Sequence, residues 1–233
     1  MLANSSSPRE AHPASHRKGR GGVELQEAGF RRSTRRAPRS RDTDGGSHLA
    51  RRRPGHERGV ALHVLFVCTG NICRSPTAER LATAYSARLN AGNFTASSAG
   101  TRAVIAHPIH HEAALILGEL GGDASGFAAR QLTAKIASDA DLVLTMTRAH
   151  RDAVLEHAPR QLHRTFTLSE AARLVTDYNA RNVADLAALR TQLVAGELVD
   201  IPDPIGRSRE SFAMVGSQIA DLLPPILELC RDD

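Results

Sequence analysis

The sequence predicts an α/β domain, a central parallel sheet flanked by helices on both faces, and three observations predict it. Short β-branched runs alternate with helical segments from about residue 60 onward, the pattern of strand–helix–strand units. The first run, Leu62-His63-Val64-Leu65-Phe66-Val67, is a continuous apolar strand. A tight turn, Cys68-Thr69-Gly70-Asn71-Ile72-Cys73-Arg74-Ser75-Pro76, joins that strand directly to a helix-like segment.

The elements run in order along the chain. Pro76 suits a first helical turn, with Ser75 as its expected N-cap and Glu79 four residues beyond. Leu81, Ala84, Tyr85, Arg88 and Leu89 carry this helix to about Asn90, where Gly92 ends it. Phe94–Ser98 forms a second strand, and Ile109–Leu120 a second helix closed by Gly121-Gly122. Asp141–Met146 is a third strand, followed by a helix at Ala149–His157 and a short fourth strand at Thr165–Thr167. Arg181–Val194 and Arg209–Leu222 have helical patterns, and Pro224-Pro225 is expected to kink or interrupt the last of them. No internal repeat is present.

Charge divides the chain unevenly. Residues 1–58 hold 14 basic and 6 acidic residues, whereas 59–233 hold 16 and 19. The basic stretch contains Arg31-Arg32, Arg35-Arg36, Arg51-Arg52-Arg53, two Gly-Gly pairs and four prolines, with no sustained apolar periodicity. It cannot bury enough surface to offset its ordering entropy, so 1–58 is expected to be a disordered basic arm and 59–233 one domain. A tether for nucleic acid or an anionic surface is the functional reading of the arm. With Phe30 its only aromatic residue, a solvated tail is preferred, and Val60 is an alternative start. No apolar run reaches the roughly 18–20 residues of a membrane span. No apolar stretch follows the first residues as in a secretory signal. Three cysteines at unrelated spacings form no disulfide framework, which suits a reducing cytoplasm.

The turn after the first strand carries the chemistry. Five residues between Cys68 and Arg74 suffice to curl backbone N–H groups around one tetrahedral anion, ahead of the positive end of a helix. That field also favours a nucleophilic thiolate at Cys68. Gly70 allows close backbone approach, and Asn71 tolerates the left-handed conformation such a curl requires. Arg74 offers a planar fork matched to two phosphate oxygens, and Ser75 is placed to donate a hydrogen bond to the sulfur. Two plainer readings compete. Cys68 could be a small buried hydrophobe, or Cys68 and Cys73 half of a metal site, although no second Cys/His pair has zinc-ligand spacing.

Val67 through Glu79 resembles the signature loop of the low-molecular-weight protein tyrosine phosphatase family. Ser98-Ala99-Gly100-Thr101, Ala129-Arg130-Gln131-Leu132, Ala140–Met146 and Asp203-Pro204 agree in order and spacing, so the resemblance covers about 61–229. It implies phosphomonoester hydrolysis through a cysteinyl-phosphate, acting on a phosphorylated protein, with no metal or other cofactor. Cys68 would be the nucleophile, Arg74 the phosphate ligand and Asp203 the general acid. Thr69, Gly70, Asn71, Ile72, Cys73, Ser75 and Ser98 would bind phosphate or support the loop. Cys73 would be able to trap Cys68 as a disulfide, or would simply pack.

Departures from the family pattern concern the surroundings. A histidine common in the supporting network falls at Phe127, which should loosen Asn71 or move it to another partner. Two aromatic pocket walls fall at Val104 and Ile205, removing stacking worth about 0.5–1.5 kcal/mol each. Ile72 resembles the tyrosine-type members, whereas phosphoarginine phosphatases tend to carry threonine there.

Other functions remain in competition. A protein-arginine phosphatase or an arsenate reductase would use the same fold, the latter needing two further cysteines where only Cys230 is available. A non-catalytic phosphate-binding protein is a third option, which the joint presence of Cys68, Arg74 and Asp203 disfavours. Asp139-Ala140-Asp141-Leu142-Val143 matches the string of aspartate-nucleophile, magnesium-dependent phosphatases, but the strand starts inside it instead of before it. His111-Glu112 begins a zinc motif that Leu115 fails to complete. His107, His110 and His111 are expected to be solvated rim residues, and Arg148, Arg151, Arg160 and Arg164 a solvated face.

Overall fold

β1 (Leu62–Cys68) lies between β2 (Phe94–Gly100) and β3 (Leu142–Thr145), and β4 (Thr165–Thr167) completes a sheet ordered β2-β1-β3-β4. All three pairings are parallel. The computed structural model describes residues 61–89, 93–194 and 199–229. The expected arm 1–58, Val60, Gly92 and Cys230 lie outside the described residues.

Side-chain alternation along the strands makes two cores. Val64, Phe66, Leu142, Leu144 and Phe166 face one layer of helices, α1 (Arg74–Arg88), α2 (His111–Glu119), α5 (Leu168–Thr176), α6 (Val183–Leu189) and α7 (Arg209–Glu228). Leu65, Val67 and Val143 face the other, packed on Ala137 of α3 (Ala134–Ser138) and Val154 of α4 (Arg148–His157). β1, β3 and β4 are therefore buried on both faces over most of their length, which is why β1 reads as an unbroken apolar run.

Several element boundaries differ from expectation, each for a physical reason. Helix α1 starts at Arg74 with Cys73 as N-cap, because the Ser75 hydroxyl is occupied by Cys68 and Asn71. Helix α2 starts at His111, after the extended residue His110. The segment expected as Arg181–Val194 is helical only over Val183–Leu189, capped by Asn182, and tightens into a 3-10 turn at Arg190–Gln192. Helix α7 is not interrupted at Pro224-Pro225 and continues to Glu228. Leu223, Ile226 and Leu227 are buried there, and burial of about 1.5–3 kcal/mol per side chain offsets the hydrogen bonds that two prolines forfeit near a helix end. Asp141 precedes β3 and accepts from the His63 N–H at 3.0 Å, a polar lead-in to the strand.

Two helices are additional to those expected, α3 and α5. Helix α5 begins with a capping box: the Glu170 N–H donates to Thr167 Oγ1 (3.1 Å) and the Thr167 N–H to Glu170 Oε2 (2.8 Å). Arg151 binds the other carboxylate oxygen at 2.7 Å, so it belongs to a half-buried ion pair and not to a solvated face.

Candidate active site

The C-terminal end of β1 places Cys68 opposite Gly100 of β2. Beyond it the loop's carbonyls are tied outward. Cys68 O, Thr69 O and Gly70 O accept from the N–H groups of Thr101 (2.9 Å), Arg102 (3.0 Å) and Val104 (2.9 Å), and Ile72 O from that of His110 (2.6 Å). Among the described residues none of the N–H groups of residues 69–73 meets a protein acceptor. A peptide whose carbonyl points out turns its N–H in, so the loop forms a concave ring of donors. Helix α1 adds its positive end, with no capping side chain and no acidic residue in its first turn.

Asn71 fixes this curl. It is fully buried and adopts φ 54°, the left-handed conformation expected of it. Its Nδ2 donates to Ser75 Oγ (2.9 Å) and Ser98 Oγ (2.8 Å), and its Oδ1 accepts from the Arg130 N–H (2.9 Å). Ser98 Oγ in turn donates to Glu79 Oε2 at 2.5 Å. With phenylalanine at position 127, Asn71 is therefore not loosened. It stays fully bonded, Glu79 anchors the network, and Phe127 lies under the Arg80 guanidinium at 5.5 Å. Ser75 Oγ lies 3.0 Å from Cys68 Sγ. Since that oxygen already accepts from Asn71, its hydroxyl hydrogen is left for the sulfur.

Gly100 backs the loop more tightly than Gly70 does. A Cβ on Gly100 would come within 2.5 Å of Thr69 O, whereas one on Gly70 would make ordinary contacts with Ile72 and Val104. Protein packing therefore demands glycine at position 100 and leaves position 70 open.

Arg74 is buried and reaches across to the loop before α7. Its two terminal nitrogens donate to Ile201 O (3.1 Å) and to Asp203 Oδ2 (2.6 Å), while Nε is buried with no partner among the described residues. Asp203 keeps a half-exposed side chain, and its Oδ1 accepts from the Ile205 N–H at 3.2 Å. Arg74 and Asp203, 129 residues apart in sequence, form this ion pair.

The rim is aliphatic. Val104 and Ile205, the expected pocket walls, are exposed, as is Ile105. Cys73 is buried in the main core and lines a small cavity with Thr77, Ala113, Ile116 and Phe212. Burial, reinforced by Cys68, pushes its thiol up to about 12. Cys68 and Cys73 are both free. His107 and His111 are exposed, but His110 stacks on Phe212 with ring centroids 5.0 Å apart, a departure from the solvated rim expected. A cavity of about 550 Å³ lies at the opposite ends of the strands, near Leu62, Asp141 and Arg164, away from Cys68.

One residue at the site escapes sequence reasoning. His150, in the first turn of α4, is buried and lies 2.8 Å from Thr69 Oγ1 through Nε2 and 2.9 Å from Thr147 Oγ1 through Nδ1. Burial, then the Arg74 charge, pushes its imidazole down to about 4, so the ring is neutral at pH 7. No motif marks it, because its partner is 81 residues away. Among the described residues no group of three or more His, Cys, Asp or Glu side chains could hold a metal ion, and no helix is long and apolar enough to cross a membrane.

Comparison with known proteins agrees with this geometry. Residues 63–180 match the family described as low molecular weight phosphotyrosine protein phosphatase. The low molecular weight protein-tyrosine-phosphatase Etp of Escherichia coli K12 is 31% identical over 152 residues, covering 65% of this chain and 83% of that protein. A low molecular weight protein tyrosine phosphatase from T. tengcongensis superposes with a TM-score of 0.59 at 31% identity, over 72% of this chain and 99% of its own. The arginine phosphatase YwlE from Geobacillus stearothermophilus gives 0.56 at 28%, over 72% and 91%. The chain belongs to the low-molecular-weight protein-tyrosine-phosphatase family. It is a cysteine-based phosphatase, a hydrolase of phosphomonoesters.

Proposed function

We propose that the chain dephosphorylates phosphotyrosine in proteins through a phosphocysteine formed on Cys68. In the first step the Cys68 thiolate attacks phosphorus, an S–P bond forms, the P–O ester bond breaks, and Asp203 in its acid form gives its proton to the leaving oxygen. In the second, Asp203 takes a proton from water, the water oxygen attacks phosphorus, and the S–P bond breaks to release phosphate. The N–H groups of residues 69–73 and the Arg74 guanidinium offset the charge on the equatorial oxygens. The observation that carries this reading is the outward tethering of four carbonyls in the loop between Cys68 and Arg74, whose guanidinium pairs with Asp203.

The relatives supply the phosphotyrosine preference together with Ile72, while Val104 and Ile205 favour a substrate without an aromatic ring. Activity on phosphotyrosine, phosphoarginine and phosphoserine peptides tests it. Phosphotyrosine is expected to be the fastest. A tenfold advantage for phosphoarginine, about 1.4 kcal/mol in the barrier, would reassign the substrate. Failure to trap phosphate on Cys68 by acid quench would remove the mechanism.

A further inference from the structure

We propose that His150 is a positioning residue for phosphoryl transfer: it holds the Thr69 hydroxyl through Nε2 and so fixes the first peptide of the anion-binding loop. This inference rests on the phosphocysteine reading of Cys68. The loop is tethered unevenly. On the β2 side three backbone N–H groups, from Thr101, Arg102 and Val104, hold the carbonyls of Cys68, Thr69 and Gly70. From the β3–α4 side, among the described residues, the one hydrogen bond to residues 69–73 is that between Thr69 and His150. Without it the residue next to the nucleophile is restrained from one side only.

His150 is itself held firmly. The Thr147 side chain accepts from the His150 backbone N–H at 3.2 Å as the N-cap of α4, and lies 2.9 Å from the ring's Nδ1. Arg74, Asp203, Asp200 and Arg102 are the charges whose fields reach the ring. A neutral imidazole carries one ring N–H. With the proton on Nε2, Thr147 O–H donates to Nδ1 and Nε2–H donates to Thr69 Oγ1. The Thr69 hydroxyl hydrogen is then free for an oxygen of the bound phosphoryl group. A dianion in the ring draws such hydrogens toward itself and selects this tautomer.

The test uses the full chain and p-nitrophenyl phosphate, with folding checked by circular dichroism and rates taken well below the melting temperature. Thr69→Val and His150→Leu are each expected to lower kcat about tenfold with KM within threefold, because the loop, not the fold, is disturbed. His150→Gln, whose amide nitrogen can occupy the place of Nε2, is expected to recover kcat to within threefold of the parent. The double variant Thr69→Val/His150→Leu should be no slower than either single change, since both break one interaction. Wild-type kcat in Thr69→Val, additive losses near a hundredfold, or a glutamine variant as slow as the leucine one would each overturn the proposal. If His150→Leu fails to fold, Thr69→Val and His150→Gln still decide it. Cys68→Ser separates the two readings: turnover in that variant sinks both, whereas an inert Cys68→Ser beside an unaffected Thr69→Val sinks this one alone.

Discussion

Arg74 and Asp203 are joined at 2.6 Å while Arg74 Nε is buried and has no partner among the described residues. The guanidinium is thus partly committed: Ile201 O and Asp203 orient it through two of its five N–H donors, and three remain unspent among the described residues. An arriving phosphate would find a fork already aimed, and an acid held where the ester oxygen must leave.

That arrangement predicts a separation of stability from rate for Asp203→Asn. The aspartate side chain is half exposed, so folding stability should change by no more than about 1 kcal/mol. Turnover of a phosphotyrosine peptide should fall about 10²–10⁴-fold, the range of a lost general acid. An activated ester such as p-nitrophenyl phosphate needs less protonation and should lose less. Equal losses on both substrates would show that Asp203 serves only to orient Arg74.

Gly100 predicts a second separation. In Gly100→Ala the new Cβ would press on Thr69 O at 2.5 Å, with Ala103 Cα and Asn71 Cβ at 3.0 Å. Overpacking of this kind costs about 1–3 kcal/mol, and because the displaced atom belongs to the loop, kcat should fall at least tenfold. Gly118→Ala in the exposed face of α2 meets nothing within 4 Å and should instead stabilise by about 0.4–1 kcal/mol with kcat unchanged. Calorimetry and steady-state rates on the two variants check the pair, and an active Gly100→Ala enzyme would mean the loop yields easily.

The loop and its supports also show how far the sequence can be read. Cys68–Pro76 announces itself because every residue needed for the curl is contiguous, and β1 because a strand covered on both sides has nowhere to place polar residues. Asn71 is legible as a left-handed residue for the same local reason. Helix α5 carries a signal, Thr167-x-x-Glu170, but no turn residue separates β4 from it, so the short strand hides its start. Helix α7 passes through Pro224-Pro225 because tertiary burial overrides local propensity. His150, Glu79 and Arg130 support the loop through contacts 19 to 81 residues distant, which no local pattern encodes.

Acid should weaken the fold through His150. Its imidazole lies near 4 in the folded protein against an unfolded value of 6.5, lowered first by burial and then by Arg74 and Arg102, with Asp203 and Asp200 opposing. Between these values the unfolded chain binds the proton and the folded one does not. Stability therefore falls as pH drops from about 6.5 to 4 and is unaffected by this group above that window. The loss is at most about 3 kcal/mol, less where solvent reaches the ring. Denaturant midpoints at pH 7 and pH 5 should differ less in His150→Gln than in the parent; an identical pH dependence would exclude His150 as the cause.

Cys73 predicts selective alkylation. Its thiol, pushed to about 12 mainly by burial, carries almost no thiolate at pH 7.5; exposure does not separate the two cysteines, Cys68 being 2% and Cys73 6% exposed. Iodoacetamide at that pH should modify Cys68 and leave Cys73 intact in the folded protein, with phosphate protecting Cys68. Peptide mass spectrometry reads the outcome. Faster modification of Cys73 than of Cys68 would contradict the buried placement and the proposed nucleophile together.

The rim offers the sharpest test of substrate choice. Val104 ends the loop-tethering segment through its backbone N–H and Ile205 lies two residues after the proposed acid, and both side chains are more than a third exposed, so replacing them disturbs little packing. Ile205→Tyr and Val104→Tyr would restore an aromatic face on each side of the mouth. Offset stacking of about 0.5–1.5 kcal/mol per ring corresponds to a two- to tenfold lower KM for a phosphotyrosine peptide, with kcat within twofold. A phosphoserine peptide has no ring to stack and should show no gain. If neither tyrosine lowers KM for phosphotyrosine, the phenyl ring does not pass between positions 104 and 205, and the substrate enters this mouth in some other orientation.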